Sequence, residues 1–283
     1  MDYKQIVWLA SYPKSGNTWV RLFLDAYFFG DIDINEILTS VADDRAGLYA
    51  LGDGSKTEDM PINIQQLTRP MAMLRLVKQS QMTNRGIPLY VKTHTANMIA
   101  NGVELIPAAL TKGVIYIVRD PRDVLPSFAK HMGASMDDAV EWMNDKYRSL
   151  AGRPGNVADF LSSWHGNVSS FLNDDVRPVK LIRYEDLRED PVKYFTEILE
   201  FSGVTPDPFK VRDAVKKVEL SRVKKIEAKE GFKESSPHAK NQFFGEGKVG
   251  GWEDKLTPKQ RFRIEKDFGR VMKRLGYLKQ RAA

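Results

Sequence analysis

The sequence runs IVWLASYPKSGNTW from Ile6 to Trp19, and this stretch decides the fold. Its apolar beginning is typical of a strand that is buried on both faces. A polar turn follows, and the apolar stretch Asn17–Phe29 then predicts a buried helix. Gly16 lets the backbone of the turn approach a ligand closely. A buried strand that leads through such a turn into a helix predicts a phosphate cradle.

The groups that a bound phosphate needs lie around this turn. Backbone N–H groups at the positive end of a helix donate to phosphate oxygens. We expect such donors from Gly16, Asn17, Thr18 and Trp19. Ser15 and Thr18 add hydroxyls, and Lys14 adds a positive charge on a long stem. The order is not that of a Walker A motif, because the lysine precedes the glycine. An N-capped helix with an incidental lysine is the alternative interpretation.

Three further strands are predicted, at Pro88–Thr93, Gly113–Val118 and Val179–Arg183. Helical patterns lie between them, including apolar residues at helical spacing over Val157–Leu172. Strands that alternate with helices predict a three-layer α/β fold, in which helices flank a central parallel β-sheet with a P-loop-like nucleotide-binding core. Because no convincing linker is present, we expect residues 1–283 to form a single domain.

A last helix and two loops complete the predicted outline. Thr257 is suited to cap the helix, and Pro258 fits its first turn. The segments Ser40–Pro61 and Lys229–Gly251 are polar and weakly periodic, so we predict loops there. Long loops in α/β domains are often lids or binding loops.

The composition is that of an ordinary globular protein. The 283 residues carry a net charge of +6, with 42% hydrophobic residues, which excludes a disordered or low-complexity chain. Cysteine is absent, so disulfides and thiolate metal sites are excluded. We expect no membrane span, no secretory signal and a cytoplasmic location. Residues Arg222 to Ala283 include 17 basic and 8 acidic side chains, which favours either an anionic partner or a solvated helix face.

Polar side chains stand at the ends of the other predicted strands. They are Lys92 and His94 on the second, Arg119 on the third and Tyr184 on the fourth. The carboxyl ends of parallel strands meet at the edge of the sheet where open α/β folds bind ligands. An arginine suits a phosphate there, because its planar fork binds at two points. Pairing of Arg119 with a nearby aspartate is the alternative.

The segment YPKSGNTW, Tyr12 to Trp19, resembles the 5′-phosphosulfate loop of the cytosolic-type sulfotransferases, which use 3′-phosphoadenosine 5′-phosphosulfate (PAPS). Similar motifs follow in the family's order. Arg119 with Ser127 resembles its 3′-phosphate motif, and Lys-Thr-His at residues 92–94 resembles the segment with its catalytic base. Tyr-Glu-Asp at residues 184–186 and the glycine-rich segment Phe244–Trp252 resemble its later motifs. The resemblance covers most of the chain.

The resemblance implies a role for each of these residues. PAPS, which is released as PAP, would be bound by Lys14, Ser15, Gly16, Asn17, Thr18, Trp19, Arg119, Ser127, Tyr184, Gly247 and Lys248. Within this set, Arg119 and Ser127 would bind the 3′-phosphate. Trp19 and Tyr184 would contact the adenine.

The same resemblance implies sulfuryl transfer to a hydroxyl or amine of a small-molecule acceptor by in-line attack. His94 would be the general base, since an unperturbed imidazole with a pKa of ~6.5 suits proton transfer near neutral pH. Lys14 would stabilise the leaving phosphate, and Lys92 would stabilise the sulfuryl oxygens. Lysines would take the place of a metal, so no metal cofactor is expected.

The sequence departs from the family's pattern at two motifs. Gly245 and Glu246 replace the Arg-Lys pair that binds the 3′-phosphate in the family, and Lys248 or Lys240 would compensate. The family's dimer motif is incomplete after Trp252, because Pro258 replaces its Val and Phe262 replaces its Glu. We therefore predict no family-type dimer, and the oligomeric state stays open.

Two other functions stay open. One is a magnesium-dependent, P-loop-like kinase of a small molecule with Asp120 as a metal ligand, which the missing Gly-Lys-Ser/Thr argues against. The other is a non-catalytic nucleotide-binding or nucleic-acid-binding module that uses the basic last quarter. That quarter contains no recognised nucleic-acid motif, so we expect no nucleic-acid partner.

The acceptor stays open among phenols, alcohols, glycosides, lipids and amines. We expect the segments Ile32–Arg85 and Lys229–Phe244 to form its pocket. Their larger apolar side chains are Tyr49, Met60, Met71, Met73, Phe232 and Phe243.

Overall fold

Strand β1 (Ile6–Ser11) leads through the turn at residues 12–16 into helix α1 (Asn17–Phe29), as the sequence predicts. Every residue of β1 is buried, because the strand lies in the middle of the sheet with a neighbour on each side. The computed structural model describes residues 3–35, 41–43, 62–83, 86–150, 158–235 and 243–279, with the backbone alone at 41–43 and 62–68.

Further strands follow β1 along the chain. They are β2 (Val41–Asp43), β3 (Leu89–Thr93), β4 (Ile99–Ala100), β5 (Val103–Glu104), β6 (Thr111–Val118), β7 (Ser149–Leu150), β8 (Asp159–Phe160) and β9 (Val179–Arg183). The main sheet has the order β2-β3-β1-β6-β9, and all of its pairings are parallel. The pairs β4–β5 and β7–β8 are antiparallel. The carboxyl ends of β1, β3, β6 and β9 therefore meet at one edge.

The helices connect the strands and cover the sheet. After α1 they are α2 (Ile62–Thr83), α3 (Pro121–Met132), α4 (Met136–Asn144), α5 (Trp164–Leu172), α6 (Tyr184–Glu189), α7 (Pro191–Phe201), α8 (Pro208–Lys217), α9 (Leu220–Glu230) and α10 (Pro258–Arg274), with a 3₁₀ turn at Ala108–Leu110. Proline in the first turn starts α3 and α10, and the preceding Asp120 or Thr257 accepts a backbone N–H as cap.

Alternating residues of the strands face two separate apolar cores. On one face, Trp8 and Tyr116 belong to a cluster with Phe128, Trp164 and Phe268 from helices α3, α5 and α10. The opposite face of the sheet packs on α1, α7 and α8. Two helical layers around one parallel sheet give the predicted three-layer α/β fold, which is confirmed.

Two local predictions are wrong. The apolar spacing over Val157–Leu172 does not belong to one helix, because α5 begins only at Trp164, with Ser163 as its cap. Ser162 before this cap has a positive φ of 59°, and Asp159–Phe160 forms β8 instead. A fifth strand of the main sheet, β2, lies within the predicted loop Ser40–Pro61, whose other residues lie outside the described ones.

Candidate active site

A cavity of about 960 Å³ lies at the carboxyl edge of the main sheet. Its wall includes residues that follow β1, β3, β6 and β9, as expected for a ligand site in an open parallel sheet. Most of the predicted site residues line it, namely Lys14, Gly16, Asn17, Thr18, Trp19, Lys92, His94, Arg119, Ser127, Tyr184, Gly247 and Lys248. Ser15 lies between two of them and is buried. The structure thus brings these residues together, while their roles stay predictions.

The turn before α1 has the backbone shape of an anion cradle. Lys14 and Gly16 both have positive φ angles, of 67° and 108°. A Cβ on Gly16 would lie 2.6 Å from the Tyr184 ring, so only glycine fits there. The buried Ser15 hydroxyl has no hydrogen-bond partner, which suits a ligand oxygen. The Trp19 N–H, expected among the phosphate donors, instead donates to the Gly16 carbonyl at 3.0 Å and closes the first helical turn.

Lys14 lies in a poorly solvated part of the cavity. Its ammonium is 3.5 Å from the ring centroid of Phe243, a cation–π contact. Burial lowers the pKa of Lys14 to about 7, an effect that the carboxylate of Glu234 opposes and that Lys130 and Arg119 reinforce. An anion in the cradle would restore the charged form of this lysine.

His94 follows the last residue of β3, and its ring is fixed by the end of β1. Its Nδ1 lies 2.8 Å from the Ser11 carbonyl oxygen and 3.3 Å from the Ser11 hydroxyl. A carbonyl oxygen only accepts, so Nδ1 is the protonated nitrogen and Nε2 is the basic one. The buried amide of Asn167 donates to the His94 carbonyl at 3.0 Å. Lys92, two residues earlier, is only 5% exposed.

Arg119 joins the end of β6 to the C-terminal loop, residues 243–252. Its guanidinium donates to the Lys248 carbonyl at 3.1 Å and lies 4.4 Å from the Tyr184 ring centroid. Its buried Nε has no partner and is left for a ligand. The Tyr184 hydroxyl in turn donates a hydrogen bond to the Gly247 carbonyl, at 3.3 Å. Ser127 lies two turns into α3 on the same cavity wall.

Trp19 lies on the cavity wall beside Tyr184. The two rings meet edge to face at 6.2 Å, and the Trp19 indole N–H donates to the Val218 carbonyl at 3.0 Å. The Arg188 guanidinium lies 5.4 Å from the Trp19 ring centroid. A flat, partly exposed ring with a fixed orientation suits a purine.

A family model described as "Sulfotransferase domain" matches residues 4–276. The chain belongs to the sulfotransferase family. This membership confirms the family and the enzyme class predicted from the sequence, a PAPS-dependent sulfotransferase.

Individual sulfotransferases are similar to this one over much of its length. Cytosolic sulfotransferase 17 of Arabidopsis thaliana is 29% identical over 201 residues, which are 63% of this chain and 56% of that protein. Sulfotransferase 1A1 of the dog, Canis lupus familiaris, is 23% identical over 282 residues, covering 95% of this chain and 83% of that one. The crystal structure of mouse SULT7A1 complexed with PAP has a TM-score of 0.59 and 20% identity, over 95% of this chain and 84% of that one.

The C-terminal loop of this sulfotransferase neutralises the glutamate that replaces a family lysine. Glu246 pairs with Lys255 at 3.0 Å, and this contact holds the pKa of its carboxyl below the usual range. Lys248, the predicted compensating cation, pairs with Asp254 at 3.2 Å, and its backbone carbonyl accepts a hydrogen bond from Arg119. Lys240 lies outside the described residues.

The structure shows two buried polar contacts at the cavity that sequence reasoning missed. Arg21, buried in α1, donates two hydrogen bonds to Glu234, at 2.8 and 2.7 Å. The buried carboxylate of Glu227 accepts the backbone N–H groups of Phe243 and Phe244, the latter at 3.1 Å. The position of Arg21 among the apolar residues of α1 was the one available signal for the first pair.

The expected acceptor segments contribute only part of their apolar side chains. Phe243 lines the cavity, and Phe232 packs against it with ring centroids 4.7 Å apart. Met73 instead lies in the hydrophobic core, and Met71 is exposed on α2, so neither belongs to the site. Tyr49 and Met60 lie outside the described residues. On the other side of the cavity the apolar wall comes from α3 and β7, through Met132 and Leu150.

The groups that the kinase alternative needs are engaged elsewhere. Both carboxylate oxygens of Asp120 accept hydrogen bonds from Arg122, at 2.6 to 3.2 Å. Glu185 accepts from the Asp120 N–H and from the Tyr277 hydroxyl, so its carboxylate joins α6 to the start of α3 and to Tyr277. Within the described part of the chain, no cluster of three or more metal-ligating side chains occurs. Nor does any helix of that part have the length and hydropathy to cross a membrane.

Proposed function

We propose that this sulfotransferase moves a sulfuryl group from PAPS to a hydroxyl or amine of a small-molecule acceptor, with His94 as general base. The observation that carries the proposal is that Lys14, His94 and Arg119 line one cavity at the carboxyl edge of the sheet. Each brings a different property to this cavity: a poorly solvated ammonium, an oriented imidazole and a guanidinium with a free donor.

The donor would lie across the cradle and the C-terminal loop. The N–H groups of Gly16, Asn17 and Thr18 and the unpartnered Ser15 hydroxyl suit the 5′-phosphosulfate. Arg119 and Ser127 suit the 3′-phosphate, and the purine would contact Trp19 and Tyr184. The PAP in the structure of the mouse relative supports this choice of nucleotide.

The reaction is an in-line displacement at sulfur. The acceptor oxygen or nitrogen forms the new bond to sulfur while its proton passes to Nε2 of His94. The bond between sulfur and the bridging phosphate oxygen breaks, and PAP leaves with the added negative charge. The ammonium of Lys14 stabilises that charge, and Lys92 stabilises the sulfuryl oxygens, each by roughly 3–4 kcal/mol in a site that excludes water.

The acceptor would enter between the apolar wall of Met132 and Leu150 and the ring of Phe243. This wall supports a small molecule with an apolar part next to its reacting group. We also propose that residues 1–283 form a single domain, and the cytoplasmic location stays a prediction.

Turnover of labelled PAPS tests the proposed base. We expect His94→Ala to lower kcat by ~10²–10⁴-fold while PAP binds with unchanged affinity in calorimetry, because the ring accepts the proton and does not bind the nucleotide. His165→Ala is the matched control, since His165 lies on α5 and is absent from the cavity wall. Normal turnover in His94→Ala would remove His94 as base. Failure of the parent protein to bind either PAPS or PAP would overturn the whole proposal.

A further inference from the structure

The side-chain NH₂ group of Asn17 binds strand β1 and not the donor cradle. It is only 4% exposed, and its amide donates to the Leu9 carbonyl at 2.9 Å and to the Ser11 hydroxyl at 3.3 Å. Both acceptors lie on β1, so the amide is directed from the start of α1 back to the end of the strand. The backbone N–H of Asn17 keeps its place in the first turn of the helix, whatever the side chain does.

Ser11 is the residue that connects this amide to the base. The paired register of β1 and β3 ends at Ala10 and Thr93. The Ser11 carbonyl, one residue beyond that pair, accepts from Nδ1 of His94, and the Ser11 hydroxyl lies 3.3 Å from the same nitrogen. The amide of Asn17 and the imidazole of His94 therefore contact the same serine.

We propose that Asn17 is a positioning residue for His94: the Asn17 amide fixes the end of β1, so that the Ser11 carbonyl keeps the imidazole proton on Nδ1. This inference rests on the proposed base role of His94. Asn17 then serves both the donor and the base. Its backbone N–H lies in the first turn of α1, beside the donor cradle, and its side-chain amide acts on His94 through Ser11. A shift of a reacting group by about 1 Å costs a rate factor of about 10².

The test compares Asn17→Ala with Asn97→Ala. Asn97 follows His94 by three residues, and its amide donates to Ser170 and Asp174 rather than toward the ring. We expect Asn17→Ala to lower kcat about 10- to 100-fold while the affinity for PAP stays within about threefold. Asn97→Ala keeps kcat near that of the parent. Nitrogen-15 NMR of the imidazoles, in the presence of PAP, is expected to show mixed tautomers of His94 in Asn17→Ala only.

A double-mutant cycle tests the route through Ser11. If the amide acts through this serine, Asn17→Ala and Ser11→Ala together lower kcat by less than the product of their separate effects. Asn17→Thr, which keeps a short polar side chain, gives an intermediate kcat and covers the case in which the alanine variant does not fold. A parental kcat and tautomer in Asn17→Ala, or multiplicative effects in the cycle, would overturn the inference. The tautomer is read without turnover, so its result stands apart from the fate of the proposed base.

Discussion

At the scale of single residues, burial disfavours the charged form of Lys14. Its ammonium lies over the Phe243 ring, and burial lowers its pKa to about 7. The nearby carboxylate of Glu234 opposes that shift without cancelling it. A lysine that is half neutral near pH 7 gains its proton when an anion arrives, so donor binding and lysine charge are coupled.

This coupling predicts the pH dependence of PAP binding. In the free protein Lys14 loses its proton as pH rises through about 7, whereas bound phosphate favours the protonated form. Affinity for PAP is therefore expected to fall from pH 7 to pH 9, with proton uptake on binding. Calorimetry in buffers of different ionisation enthalpy measures both quantities. Lys14→Arg is the control, since its guanidinium stays charged throughout this range and gives a flat profile. The same flat profile in the parent, without proton uptake, would contradict the coupling.

The sequence predicted those site residues whose partners lie close by in the chain, and it missed those whose partners lie far away. Lys14 and Gly16 belong to one turn, so their neighbourhood follows from a few adjacent residues. The environment of Arg21 depends on Glu234, which lies 213 residues further along the chain. No local pattern specifies such a pair. The direction of the Asn17 amide was likewise missed, because it is decided by where β1 ends beside β3.

At the scale of elements, strong local signals predicted the strand, turn and helix from Ile6 to Phe29 with correct bounds for α1. Apolar spacing alone failed over Val157–Leu172, because a short strand followed by a capped helix places apolar residues much as one helix does. Strand β2 was missed because three residues of a parallel edge strand need their neighbour β3 to define them.

The hydrogen bonds between α9 and the C-terminal loop give a prediction at this scale. Glu227 is 5% exposed and accepts the N–H groups of Phe243 and Phe244, which places the Phe243 ring against Lys14. Glu227→Ala leaves these N–H groups without an acceptor, so we expect the free energy of unfolding to fall by about 1–3 kcal/mol. PAP affinity should fall with it, since this loop lines the cavity.

The control for this substitution lies one turn further along the same helix. Glu230 is exposed and pairs with its neighbour Lys229 at 3.6 Å. Urea unfolding of Glu230→Ala should lie within about 0.5 kcal/mol of the parent. Equal stabilities of the two variants would show that the Glu227 carboxylate does not fasten the loop.

At the scale of the whole molecule, hydrogen bonds join the basic last quarter of the chain to α3, the helix that follows Arg119. Asp123 on α3 accepts the N–H groups of Gly250 and Trp252, at 2.8 and 2.9 Å. The guanidinium of Arg122 lies 4.1 Å from the Trp252 ring centroid. The C-terminal loop thus reaches the cavity because α3 anchors it, a long-range arrangement that the charge count of this quarter could not predict.

Arg122 is the centre of that attachment and gives the last prediction. It donates to Asp120, to Glu265 on α10 and to the Tyr277 carbonyl, and it is 7% exposed. Arg122→Met leaves the buried Asp120 carboxylate without its cation, so we expect a loss of about 3–5 kcal/mol in urea unfolding. PAP affinity should also fall, because the loop beside Arg119 loses the contact between Arg122 and Trp252.

Arg263 on α10 provides the matched comparison for Arg122. It also pairs with two carboxylates, Asp267 and Glu141, but its side chain is 45% exposed. Water and salt screen such a pair, so Arg263→Met should change the free energy of unfolding by about 1 kcal/mol or less and leave PAP affinity unchanged. Similar losses in the two variants would mean that burial of the Arg122 network adds nothing. If Arg122→Met lost much stability but kept the parental PAP affinity, the Arg122 network would hold α10 in place without shaping the donor site.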